Sequence, residues 1–350
     1  MKSTISLTIL ASCVALLTIA ERADAQKVGT TSLQFLKVMP TARATALGEA
    51  YSTLATGADA VFWNPAGLAG DEFHEFSSTF TVWIFDSKQA ALAYALPLGD
   101  LGTLGFQLQY VDFGDIEETR TEYLGFVGSG SDLHYNPGYT GNTFSPLSYA
   151  VGLTFARELT DRFSTGLTAK YVSEALWKDA TVQVLNPNTG EMETFNTAAH
   201  VFLFDFGMLY RTGYRSIDIG VSVQNLGASV KFAQEEYPAP LTFRLGTAFN
   251  ALGPDALLLP DDLNRLTVAV DLFQPNDYTQ QVHMGLEYAF SETVFLRTGY
   301  KHNYDSEKFT FGAGAQAEVA GIVAALDYSY GMLSYSLGSV HRISLGVRFQ

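Results

Sequence analysis

The sequence predicts an all-β protein, a transmembrane antiparallel β-barrel of about 14 strands with an N-terminal hatch segment in its lumen. Three observations carry this expectation. Apolar residues recur at every second position through long runs, as in Leu104, Phe106, Leu108 and Tyr110 against Gly105, Gln107 and Gln109, and a period of two places each set on one face of a strand. These runs span about 10 to 14 residues, where strands of globular proteins average about five or six. Short and long connections alternate along the chain, the arrangement of periplasmic turns and external loops. A secreted sandwich also alternates, but its strands need neither this length nor an opposite face of Gly, Ser, Thr, Gln and isolated charges.

Composition narrows the function classes. Charged residues form 16% of the 350-residue chain, against roughly 25% in soluble domains. A net charge of −15 excludes a nucleic-acid partner, because phosphate neutralisation needs a basic face. Beyond the N-terminus no apolar run approaches the roughly 18 residues of a membrane-spanning helix.

Residues 1–25 read as a signal peptide. Lys2 precedes an apolar stretch from Ile5 to Ala20, and Ala23-Asp24-Ala25 supplies the small-x-small cleavage pattern, giving a mature chain from Gln26. Leu10-Ala11-Ser12-Cys13 also resembles a lipoprotein box, although cutting there splits the apolar stretch. Cys13 is the sole cysteine, so cleavage after Ala25 leaves no disulfide or thiolate chemistry. The expected location is the bacterial outer membrane.

Residues 26–71 do not alternate and form the expected hatch. Thr41 to Ala50 is rich in small residues and is interrupted by Gly48. Asn64 before Pro65 reads as an N-cap with Pro in the first helical position, and Gly67 and Gly70 limit that helix to about one turn. Such a compact stretch suits a lumen too wide for wall side chains to fill. Arg43 and Asp59 are expected either to pair within the hatch or to contact polar groups of the lumen, holding the plug rather than gating it, and lumen-facing Arg244, Glu287, Arg297 and Asp327 to anchor it.

The barrel, 72–350, is expected to use spans 72–85, 87–98, 101–113, 145–158, 161–176, 200–212, 216–226, 239–250, 263–274, 280–290, 293–304, 309–319, 321–332 and 339–349. Their number is even, as single-chain bacterial barrels require. Residues 117–126 are assigned to a loop, with a fifteenth strand as the alternative. The connection 251–262 is longer than its side of the barrel predicts. Val347-Arg348-Phe349-Gln350 closes the chain with an aromatic strand.

The opening segment carries a family resemblance. Phe35-Leu36, Ala42-Arg43, Ala46-Leu47-Gly48-Glu49-Ala50, Asp59-Ala60 and Trp63-Asn64-Pro65-Ala66-Gly67-Leu68-Ala69 resemble the signature of the PorV/PorQ family, whose Asn-Pro-Ala core is shared with FadL-like transporters. Glu49 stands where the family often has a second Gly. The resemblance implies a fourteen-stranded barrel with a hatch, a role in type IX secretion, and partners among exported proteins or secretion-system components. Its hatch motif comprises Arg43, Gly48, Asp59, Trp63, Asn64, Pro65 and Gly67.

No catalytic constellation is expected. His74-Glu75 lacks the second histidine of a zinc protease motif, the six histidines are scattered, and no Gly-x-Ser-x-Gly elbow exists. Gly312-Ala313-Gly314 lies in a strand-like stretch and reads as lumen-facing glycine rather than a dinucleotide fingerprint. Asn186-Pro187-Asn188-Thr189-Gly190-Glu191 reads as turn chemistry, and the acidic group Asp112, Asp115, Glu117, Glu118 and Glu122 as a solvated rim. No metal or cofactor is called for. The expected working surfaces are the hatch and loops 114–144, 177–199 and 227–238, with Phe126, Tyr135, Tyr139, Phe144, Trp177 and Phe195 as contacts for a protein partner. The outer-membrane lipid surrounds the wall. The alternative function is a FadL-like channel for a hydrophobic small molecule, which requires a continuous apolar pocket between hatch and wall.

Overall fold

A computed structural model describes residues 28–70, 72–177, 179, 181–186, 189–335 and 337–350. The expected signal peptide with Cys13, the last hatch residue 71, and Pro187 and Asn188 of the expected turn lie outside the described residues.

Fourteen antiparallel strands close into a barrel. In chain order they are β1 (His74–Val82), β2 (Lys88–Pro97), β3 (Thr103–Asp112), β4 (Leu147–Thr160), β5 (Phe163–Ala175), β6 (Ala198–Arg211), β7 (Asp218–Gly227), β8 (Thr242–Leu252), β9 (Asn264–Pro275), β10 (Gln281–Phe290), β11 (Val294–His302), β12 (Phe309–Val319), β13 (Ile322–Met332) and β14 (Ser339–Phe349). Each pairs with its sequence neighbour, and β1 pairs with β14 from His74 opposite Phe349 to Val82 opposite His341. Closure leaves no wall strand with an unpaired edge, which a bilayer requires.

The burial pattern inverts that of a soluble protein. Along β3, Leu104, Phe106 and Tyr110 are exposed while Gly105, Gln107 and Gln109 are buried. Along β6, Phe202 is 63% exposed and Asp205 1%. A polar inner face and an apolar outer face are stable only where lipid surrounds the wall. The barrel therefore sits in the outer membrane.

Connections 98–102, 161–162, 212–217, 291–293 and 320–321 are short and share one end with the chain terminus; this is the periplasmic end. Connection 253–263 lies there too and is longer, folded back by Leu257 N–H donating to Asn250 O (2.8 Å) and Leu259 N–H to Ala251 O (3.2 Å).

The opposite end carries three two-stranded hairpins: Ile116–Val127 with His134–Phe144, Thr181–Leu185 with Met192–Asn196, and Val230–Phe232 with Glu235–Tyr237. The expectation that 117–126 is loop is thus corrected. It is a strand, but it pairs with 134–144 rather than the wall, and so the wall count stays fourteen. Its side chains are exposed on both faces except for Glu118 and the half-buried Gly125, so it never acquires the apolar outer face of a lipid-facing strand.

Residues 31–69 are mostly buried and touch wall strands on all sides of the barrel, from β1 and β2 through β4, β5 and β6 to β11 through β14. Only a segment inside the lumen reaches all of these. It starts at the external end, where Ser32 N–H donates to Pro238 O (3.0 Å). It finishes near the periplasmic turns, with Gly70 against Glu158.

Candidate functional site

The lumen segment is built from short turns. Helical residues Ala42–Ala46 end at Gly48, which has a φ of +63°. Ala60–Trp63 leads to Asn64, and Pro65–Leu68 forms one 3-10 turn. Asn64 caps that turn, its Oδ1 accepting from Ala66 N–H at 3.1 Å, while its Nδ2 donates to Ser52 O (2.7 Å) and to Met208 O on β6 (3.2 Å). One buried side chain thereby ties together two parts of the segment and the wall. Trp63 is fully buried, packs edge-on against Tyr51 at 5.7 Å, and donates through Nε1 to Thr41 Oγ1 at 3.0 Å.

Glycine on the inner wall makes room for this backbone. A methyl group on Gly299 would overlap Gly48, one on Gly207 would overlap Asn64, and one on Gly285 would lie 2.7 Å from Leu47 O. Gly312 likewise faces the lumen, against Ala46. Gly67 serves the segment internally, since a side chain there would run into Ala55 O.

Two charged side chains fasten the segment to the half of the wall formed by β8 to β14. Arg43 forks onto Glu287, with Nε and Nη2 each donating at 2.9 Å. Glu287 also accepts from Arg297 (2.7 Å) and Arg265 (3.3 Å), and Arg297 continues to Asp327 (2.5 Å). Glu49 accepts from Arg244 (3.0 Å) and Lys301 (2.8 Å), and Lys301 reaches Glu307 (2.5 Å). The other half of the wall uses neutral donors: Gln89 and Gln109 donate to Val38 O (2.7 and 3.1 Å), and Gln224 to Phe62 O (2.7 Å).

Of the two arrangements expected for Arg43 and Asp59, the pair within the hatch does not form and both side chains instead contact polar groups of the wall. Arg43 is drawn to Glu287, and Asp59 accepts instead from Ser77 Oγ at 2.6 Å. Burial, only partly offset by that hydrogen bond, pushes the Asp59 carboxyl up to about 6. Burial alone would raise Glu49 as well, but the charges of Lys301 and Arg244 hold its carboxyl well below the usual carboxylate range. Burial drives the Tyr51 hydroxyl far above its ordinary value, so Tyr51 is neutral.

Glu49 is the residue that reading by resemblance undervalued. Its φ is +64°, the left-handed region that favours glycine, which explains why a second Gly is at home there. Its carboxylate supplies the second anchor, so the strain is held by charge. The signal available in sequence was the pair of inward-phased cations, Arg244 and Lys301, with no stated partner.

At the external end the expected contact residues divide into two groups. Phe126 and Tyr135 meet edge-on at 5.5 Å and both remain exposed, as does Tyr139. Phe144 packs on Trp177 at 4.1 Å, both half-buried, and Phe195 is half-buried opposite Val182. Phe144 and Trp177 brace one hairpin against the next connection, Phe195 packs within its own hairpin, and the first group is left as accessible surface.

A model of the family described as Type IX secretion system protein PorV matches residues 21–276. No curated protein matches the chain in sequence. Among solved structures, the Pseudomonas putida toluene transporter TodX is similar with a TM-score of 0.54 at 13% identity, over 87% of this chain and 96% of that one. The CymD monoaromatic hydrocarbon channel has a TM-score of 0.51 at 9% identity, over 89% and 97% of the two chains. At such identities these likenesses concern the fold alone, a FadL-like barrel. With most of its length matched, including the lumen segment and nine of its wall strands, the chain belongs to the PorV family of outer-membrane β-barrels.

Proposed function

We propose that this barrel is a non-enzymatic, secretion-associated protein that engages exported proteins or type IX components through its external hairpins, with the lumen segment acting as a closed hatch. The observation that carries the reading is the contrast between the two ends of the lumen segment's surroundings. Outside, ordered hairpins present Phe126, Tyr135 and Tyr139 to solvent, the aromatic type that anchors protein interfaces. Inside, the segment is anchored on ionic and polar wall groups through Arg43, Glu49 and Val38, with a cavity of about 360 Å³ at its external end. The apolar cluster around Leu33, Phe35 and Leu36 is filled by those side chains against Val111, Val172 and Leu203. Arg43, Gly48, Asn64, Pro65 and Gly67 then serve to seat the hatch, and the family supports the secretion role.

Gentle detergent extraction from native membranes, followed by mass spectrometry of what stays bound, tests this. Exported proteins with type IX C-terminal domains, or other secretion components, are the expected result. A stoichiometric lipid or hydrocarbon without protein cargo would overturn it in favour of a hydrophobic channel.

A further inference from the structure

We propose that the external rim is sunk into the outer leaflet on one side, where connections 83–87 and 333–338 insert Phe85 and Tyr335 into lipid beyond the wall. The two connections are neighbours in space. One joins β1 to β2 and the other β13 to β14, and β14 pairs with β1, so about two strand spacings, roughly 10 Å, separate them. The tall hairpins rise from β3–β4, β5–β6 and β7–β8, leaving this part of the rim low.

Both rings are held out by turns braced from beneath. Phe85 is 81% exposed and Tyr335 80%, more than Phe126 at 73% or Tyr135 at 55%. Their φ values are +54° and +59°, a costly conformation for a bulky residue. In the first turn Trp83 N–H donates to Ser87 O (2.9 Å), and the Arg342 guanidinium lies over the Trp83 ring at 5.4 Å. In the second, the N–H of buried Leu333 donates to Gly338 O (3.1 Å) and that of Ser334 to Ser306 O (2.6 Å). The rings are thus presented in fixed positions and left unburied.

Continuity, reach and charge name lipid as their cover. Directly below, exposed Phe80, Val82, Tyr328 and Met332 belong to the lipid-facing wall. Tyr328 Oη meets His341 Nδ1 at 2.7 Å and the Tyr330 ring lies edge-on to His341 at 5.4 Å, an aromatic belt of the kind that sits at head-group level. Phe85 lies three positions beyond Val82, and Tyr335 three beyond Met332, at most about 10 Å of chain. A head-group layer is roughly 5–8 Å thick on each side of the hydrocarbon, so neither ring is carried clear of it. Phe126, fourteen positions beyond Asp112, has a reach of about 45 Å. Asp86 is the one charged residue in the two low connections, whereas 113–146 holds Asp115, Glu117, Glu118, Glu122 and Asp132 among its aromatics. Carboxylates resist transfer out of water, so that hairpin stays in solvent and the low side does not.

The inference stands apart from the secretion reading, because it is tested with no cargo present. The purified full chain is reconstituted in phosphatidylcholine vesicles and its folding checked by heat-modifiable gel mobility. Hydroxyl radicals are then generated by radiolysis of water on both sides of the bilayer, and oxidation of each residue is read by mass spectrometry. Comparing Phe85 with Phe126, and Tyr335 with Tyr135, cancels intrinsic reactivity and needs no substitution. Phe85 and Tyr335 are expected to lose most of their reactivity while Phe126 and Tyr135 are oxidised readily, the reverse of the order set by their exposure in the chain alone. Oxidation of Phe85 and Tyr335 as fast as that of their counterparts would overturn the proposal. Protection in native outer membranes but not in the vesicles would assign the cover to a protein and overturn it too. So would protection that vanishes as the protein is diluted in lipid, which would reveal contact between copies of the chain.

Discussion

Glu49 places a non-glycine residue at a φ of +64° and binds two cations with its carboxylate. Glu49→Ala loses the charges and keeps the backbone strain, whereas Glu49→Gly loses the charges and relieves it. The glycine variant is therefore expected to be the more stable of the two by about 1 kcal/mol, and both to fall below the wild type. Urea unfolding followed by heat-modifiable gel mobility checks the order. Asp59 gives a pH signature. A carboxyl whose pKa is about 6 when folded, above its ordinary 3.8, binds its proton more tightly in the native state. Its contribution is fully present below the lower value and is lost as pH rises through about 6. Stability of the segment should thus rise on acidification across that window, and Asp59→Asn, which keeps an acceptor for Ser77, should flatten the dependence. An Asn variant with an unchanged pH slope would remove Asp59 as its source.

At the scale of elements, the barrel wall and the external hairpins answer to different constraints. Wall strands need an apolar outer face, and the periodicity of Leu104 to Tyr110 or Ile343 to Phe349 displays it directly. The hairpin 116–127 with 134–144 is wetted on both faces, so its sequence has no dominant period; it stays outside the wall, as its place in a loop implied, but its strand character could not be read. Because the hairpin stands outside the wall register, replacing 116–144 with a short Gly-Ser linker is expected to leave barrel folding intact. Cargo capture is expected to fall at least about tenfold, since exposed aromatics dominate interface energies. Unchanged heat-modifiable mobility with unchanged capture would exclude this hairpin as the contact.

For the whole molecule, the proposed closed hatch makes conductance the property to measure. It is held by Arg43 and Glu49 on one side and by amide donors on the other, a distribution that resists tilting toward either. Buried ion pairs of this kind cost several kcal/mol when one partner is removed. Wild-type protein in planar bilayers is expected to show no steady conductance, and a variant lacking 31–69 to form open pores. Combined Arg43→Gln and Glu49→Gln substitution should give intermittent openings. A double variant as silent as the wild type would show that the neutral contacts alone hold the segment.

The sequence by itself determined the barrel, its strand number, its orientation and the existence of a segment apart from it. Those properties follow from period-two alternation and connection length, which are local along the chain. Family membership was legible between Phe35 and Ala69, because close backbone approach there restricts positions such as Gly48, Asn64 and Gly67 to small or capping residues. Only the tertiary structure decided which charges meet. Arg43 lies 244 residues from Glu287, and Glu49 lies 252 from Lys301, separations across which no spacing rule acts. The partition of the external aromatics into bracing and accessible groups was decided in the same way, since it depends on how neighbouring hairpins lean on one another once the barrel has closed beneath them.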